Sequence, residues 1–205
     1  MNAQLKALYL AQTKQQAIPY RTNASACSRL WKIFRTANLG RFRSPFFNPP
    51  AGAVGMGTIW ALLSPLAATP TLIPGTRATF DPWAQQMIEH IAVAYSAAAP
   101  HPLGIAQKTL NLFLKDLWAW NKFTVVQEDC LHAPIDRIIY QKFRKPPNSW
   151  KSWSYVKWTT PAEFATLWSD YTTLQDALRT RAKLISSPAL AIQPIMLEHL
   201  LWGGV

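Results

Sequence analysis

Apolar residues recur at helical spacing along nearly the whole chain, and sixteen prolines cut that pattern into lengths of a few turns. Strand-like alternation is scarce. An amphipathic stripe of period 3.6 is buried most readily against other helices, so the pattern predicts an all-α fold built of short helices with proline-marked corners. Leu5, Leu8 and Tyr9 share one face of a first helix, and Leu30, Ile33 and Phe34 share one face of a second over 25–37. The longest apolar stretch, "TIWALLSPLAATPTLIPG", is broken by Pro65, Pro70 and Pro74, too short and too interrupted to span a bilayer. Loops are expected between Pro45 and Pro74, around a short helix near Thr58–Leu63. "GAVGMG" (52–57) reads as a turn, because no strand precedes it and no Gly-Lys-Ser/Thr ends it.

Asp81-Pro82 is expected to supply the N-cap and first position of the next helix, which Pro100 and Pro102 end. "PHPLG" makes a tight connection into "LGIAQKTLNLFLKDLWAWN" (103–121). Two helices joined by a short turn containing Gly104 form a helix–hairpin–helix-like unit. A loop is expected from about Asn121 to Ala133, with Pro134 starting a helix through "IDRIIYQKF". Thr160, Pro161 and Glu163 open a long helix with a capping box, and "PIMLEHLLW" closes the chain at Gly203. The organisation expected is one compact helical domain over 1–205, or two lobes of about 1–80 and 81–205 with a site between them.

The balance of 21 basic against 10 acidic side chains, net +11, favours a polyanionic partner, and nucleic acid above an anionic membrane surface. The two cysteines, Cys27 and Cys130, form no C-x-x-C pair, and the first residues lack the shape of a signal peptide. A reducing, cytoplasmic location without a disulfide framework is expected. His90, His101, His132 and His199 show no metal-ligand spacing, so neither metal nor cofactor is expected.

Within 103–121, Lys108 falls in the first turns of a helix. Unpaired N–H groups make that end electropositive, and a partly dry setting acts in the same direction, so both effects favour the neutral amine. A neutral lysine is a nucleophile competent for Schiff-base chemistry. From periodicity alone, a solvated lysine or a phosphate contact is the simpler reading. Asp136 follows 28 residues later, at about the third position of a helix begun by Pro134, where the same backbone dipoles stabilise an anion. First-turn aspartates are also common as mere helix stabilisers. The ordered pair of a helix-start lysine after a Gly-containing turn and a helix-start aspartate is what singles these residues out.

"LGIAQKTLNLFLKDLWAW" followed by "LHAPIDRIIYQKF" resembles the helix–hairpin–helix DNA glycosylases, closest to the archaeal 8-oxoguanine DNA glycosylase type. The resemblance covers about 100–145 and loosely 193–204, which holds "PIMLEHLLWGG". It implies a helix–hairpin–helix glycosylase-like bundle in which Lys108 of "QKTL" is the nucleophile and Asp136 of "PIDRII" its catalytic partner. Where that branch often carries an aromatic residue four positions after the lysine, this chain has Leu112. The excised base is then either an oxidised purine, 8-oxoguanine, or a bulky phage-type modified cytosine, the latter implying a role in antiviral defence.

The implied partner is double-stranded DNA, bound by a monomer that flips the modified base from the stack. Gly104, Arg137, Lys142, Arg144, Lys145, Lys151 and Lys157 are the expected DNA-binding residues, interleaved with Trp150, Trp153, Tyr155 and Trp158. Arg29, Lys32, Arg35, Arg41 and Arg43 form a second basic cluster. Gln107 is expected to touch base or backbone, and His132, four residues before Asp136, to line the site. The activity implied is base excision, with AP-lyase cleavage if Lys108 forms a Schiff base. The alternatives are a non-catalytic DNA-binding module that grips phosphates through the hairpin, and a membrane-surface protein.

Overall fold

The computed structural model describes residues 2–38, 51–95, 100–143, 156–186 and 191–203. Among them the chain is all-helical: α1 Asn2–Gln12, α2 Asn23–Asn38, α3 Ala51–Ala68, α4 Arg77–Tyr95, α5 Leu103–Ala119, α6 Val125–Cys130, α7 Arg137–Phe143, α8 Pro161–Ile185 and α9 Pro194–Gly203, with a 3₁₀ turn at Pro70–Leu72. No helix among the described residues is long and apolar enough to cross a membrane.

α5 is the axis. Leu103, Ala106, Leu110, Phe113, Leu114, Leu117 and Trp118 are all fully or almost fully buried, so its apolar residues cover more than one face. That requires neighbours on several sides, and α4, α2 and α1 supply them. α8, α7 and α9 pack on one another beside it. The capping box of Thr160 and Glu163 forms as expected: the Thr160 side chain accepts from the Glu163 amide, and the Glu163 carboxylate accepts from the Thr160 amide.

Three expectations are corrected. "GAVGMG" is not a turn: it lies inside α3, which runs from Ala51 through Pro65 to Ala68. Burial of Ile59, Leu63 and Leu66 outweighs the ~1 kcal/mol that each glycine costs in a helix. Asp81 does not cap a helix, because α4 begins four residues earlier, where the Thr79 and Phe80 amides both donate to the Thr76 carbonyl. Pro82 therefore sits within α4, and Asp81 turns its carboxylate to His132 and Arg77. The span 121–133 is not all loop. Thr124 and Gln127 make a capping box that starts α6, and Gln127 then donates to the Ile73 carbonyl at 2.8 Å, tying α6 to the turn before α4.

After α6, Leu131 to Asp136 form neither helix nor strand, and among the described residues no strand lies beside them. Their backbone groups need partners, and two glutamine side chains provide them. Gln175 of α8 accepts from the Ala133 amide at 2.9 Å and donates to the Ala133 carbonyl at 2.8 Å. Gln107 of α5 accepts from the Ile135 amide at 3.1 Å and donates to the Ile135 carbonyl at 2.6 Å. The segment is thus tied to α8 through Ala133 and to α5 through Ile135. Asp136 comes next.

Candidate active site

Lys108 and Asp136 are brought together. Lys108 is the sixth residue of α5, and its Nζ lies 3.9 Å from Asp136 Oδ2, with side-chain exposures of 11% and 6%. That separation is an ion pair without a hydrogen bond. Burial pushes the Lys108 amine below its usual range, and the charges of Asp136 and Glu198 oppose the shift. Desolvation is therefore the principal cause. The sequence argument leaned equally on the helix terminus, but Lys108 sits beyond the first turn, where that field has faded.

Asp136 is the N-cap of α7 rather than its third residue. Its Oδ1 accepts from the Ile138 amide at 2.9 Å and the Ile139 amide at 3.0 Å, while Oδ2 faces Lys108. One oxygen fixes the carboxylate and the other is presented to the amine.

Gln107 does not face a ligand. It is fully buried and spends its amide on Gly104, Ile135 and Asn111, so its place is in the support of the Asp136 segment. His132 likewise lines no open site: it is fully buried, in contact with Phe80 and Tyr171. A carboxylate only accepts, so the contact with Asp81 Oδ1 at 3.0 Å places the proton on His132 Nε2. Nδ1 is then bare and accepts from the Tyr171 hydroxyl at 2.9 Å, whose oxygen accepts from Asn111 Nδ2 at 2.8 Å. Burial, opposed by the Asp81 hydrogen bond, lowers the imidazole to about 4. Leu112, one turn after Lys108, is half-buried.

The hairpin glycine is also reassigned. Gly104 is buried and its amide donates to the Val156 carbonyl at 3.1 Å, while His101 and Trp158 exchange both backbone hydrogen bonds at 2.7 and 3.0 Å. These amides are satisfied within the protein and are not free for a phosphate. Among the expected DNA-binding side chains, Lys142 and Lys157 are exposed, and Lys142 Nζ donates to the Leu201 carbonyl at 3.1 Å. Arg137 is the first residue of α7. The Arg137 side chain, and Arg144, Lys145, Lys151, Trp150, Trp153 and Tyr155, lie outside the described residues, as do Arg41, Arg43 and the Arg35 side chain. Trp158 is buried against His101 and Phe164. Arg29 leaves the basic cluster altogether, because its guanidinium pairs with buried Asp116 at 2.7 Å.

The sequence reading missed two further buried charges near Lys108. Lys115, two turns along α5, is ion-paired with Glu198 of α9. Both side chains are almost completely buried. A lone acid in the largely apolar "PIMLEHLLW" was the available signal, since burial of such a stretch takes the acid with it and demands a cation.

No protein-family model matches the chain, no curated protein is similar to it, and no solved structure matches it.

Proposed function

We propose that this protein is a DNA N-glycosylase of the helix–hairpin–helix type, with Lys108 as nucleophile and Asp136 as the anion that stabilises the sugar cation. The observation that carries the reading is the buried pair itself: an amine driven toward neutrality by desolvation, 3.9 Å from a carboxylate oriented by its own helix cap. Departure of a base builds positive charge at C1′, and an anion held in place beforehand stabilises that charge without reorganising. The neutral amine then bonds to C1′ as the C1′–N bond to the base breaks. Loss of a proton and opening of the sugar ring give a Schiff base, from which the 3′ phosphate can be eliminated. The base, an oxidised purine or a bulky modified cytosine, is reached by flipping it from duplex DNA. The net charge of +11 supports a DNA partner.

The rival reading, a non-catalytic module gripping phosphates through the hairpin, gains nothing from amides already bonded to Val156 and Trp158. Borohydride trapping on duplexes carrying 8-oxoguanine, glucosylated or hydroxymethylated cytosine, or an abasic site tests the proposal. The expected result is a covalent adduct that disappears in Lys108→Ala. DNA binding with no adduct and no base release from any of these duplexes would leave the binding module.

A further inference from the structure

The Gln107 amide is saturated. Nε2 donates to the Gly104 carbonyl at 2.9 Å and the Ile135 carbonyl at 2.6 Å, while Oε1 accepts from the Ile135 amide and from Asn111 Nδ2, both at 3.1 Å. A glutamine amide has two donor hydrogens and two lone pairs, so these four bonds leave it a single orientation. Asn111 backs it in turn, with Nδ2 2.8 Å from the Tyr171 hydroxyl and 3.3 Å from the Ala133 carbonyl. Gln107 and Asn111 are both fully buried, so water does not compete for these bonds.

What the amide joins is more telling than its bond count. Gln107 immediately precedes Lys108 on α5, and Ile135 immediately precedes Asp136 at the cap of α7. One pair of hydrogen bonds therefore ties together the backbone positions next to the amine and next to the carboxylate, each only ~3.8 Å along the chain from its neighbour. α7 itself packs chiefly against α9 and α8. The ion pair does not set its own spacing, because 3.9 Å is beyond hydrogen-bond reach and a bare charge attraction has no preferred direction. Asp136 Oδ1 is anchored to the Ile138 and Ile139 amides, but those belong to α7 and move with it.

We infer that Gln107 is a positioning residue of this site: by locking Ile135 to α5, its amide sets the separation of the Lys108 amine and the Asp136 carboxylate. This rests on the reading of Lys108 as the nucleophile and Asp136 as the anion beside the sugar. α5 is buried along most of its length, so loss of the clamp leaves the amine in place and frees the carboxylate. Base release needs that anion close to C1′, and a misplacement of about 1 Å costs on the order of 100-fold. A preformed abasic site has no base to expel, so attack on it is far less sensitive to the anion.

The test is a double-mutant cycle on Gln107 and Asp136, with two single-turnover readouts at a temperature where circular dichroism shows every variant folded. One readout is base release from duplexes carrying 8-oxoguanine, hydroxymethylated cytosine or glucosylated cytosine. The other is borohydride trapping on a duplex with a preformed abasic site. Gln107→Leu should lower base release about 10–100-fold and trapping much less. In an Asp136→Asn background the same substitution should lower base release no further, because the group it positions is no longer an anion. Equal losses in the two readouts, or losses that multiply in the double variant, give Gln107 only a part in holding up the fold and overturn the inference. If Gln107→Leu fails to fold, Gln107→Asn keeps a buried amide on a side chain too short to span both Ile135 groups, and carries the same comparison. A wild type that neither releases base nor forms an adduct refutes the Lys108–Asp136 site and this inference with it, whereas multiplying losses refute Gln107 alone.

Discussion

Lowering the pH should destabilise this protein through His132. The imidazole is neutral in the fold, with Nε2–H donating to Asp81 and Nδ1 accepting from Tyr171, and its value falls from 6.5 to about 4. A folded value below the unfolded one means that the unfolded chain binds the extra proton. The contribution is therefore complete only well above 6.5, falls as the pH drops through 6.5, and levels off below about 4. With those two values, linkage gives a loss of about 0.2 kcal/mol at pH 7 and about 2 kcal/mol at pH 5. For a chain of this size that is a drop of about 4–8 °C in melting temperature. Protonation would also make Nδ1 a donor facing the Tyr171 hydroxyl, which must then turn its own hydrogen elsewhere. Urea unfolding of the wild type and His132→Gln at pH 7 and pH 5 isolates the group. His199, also near 4, is present in both proteins and cancels in the difference. The variant is less stable at pH 7, and the gap should narrow by about 2 kcal/mol at pH 5. Parallel pH dependences, or an imidazole of His132 that titrates near 6.5 by NMR, would refute the reasoning.

Asp116→Asn should cost about 3–5 kcal/mol in urea unfolding, because the buried carboxylate gathers Tyr9, Tyr20, Gln15 and Arg29, and its loss strands the guanidinium. Gln175→Leu should leave the Ala133 amide unpaired, costing about 1–3 kcal/mol, while the Ala133 carbonyl keeps Asn111 Nδ2 at 3.3 Å, and amide exchange at Ala133 should accelerate accordingly. Asp136→Asn retains an oxygen to cap α7, so its melting temperature should change little while base release falls about 10²–10³-fold. Trapping on a preformed abasic site, which needs no departing base, should fall much less; equal losses in both assays would contradict an anion acting on the sugar cation.

The helices were legible because their signals are local. The capping box at Thr160 and Glu163, and the end of the last helix at Gly203, depend on residues a few positions apart, and the structure has them where the pattern put them. The errors arose where packing outweighed local preference, as in the glycine-rich start of α3 and the internal Pro82 of α4. The candidate site divides the same way. That Lys108 and Asp136 belong together was suggested by a resemblance, and the helix–hairpin–helix unit by Gly104, but periodicity could not say that Gly104 would give its amide to Val156.

What the sequence hid was which polar residues would be buried. In α5, Gln107, Asn111, Lys115 and Asp116 are inside, yet a helix written with the same letters could turn that stripe to water. The difference lies in partners far along the chain: Lys6 for Glu128, Arg29 for Asp116, Glu198 for Lys115, Gln175 for Ala133. Each pair is stable in the interior only because both members arrive together, since either one alone would be an uncompensated charge or an unsatisfied amide. A burial pattern of this kind is set by complementarity between distant segments, which no local window contains. The same logic constrains the chemistry. Lys108 is largely buried with Asp136 3.9 Å away, so the state of its amine depends on the placing of a residue 28 positions along the chain.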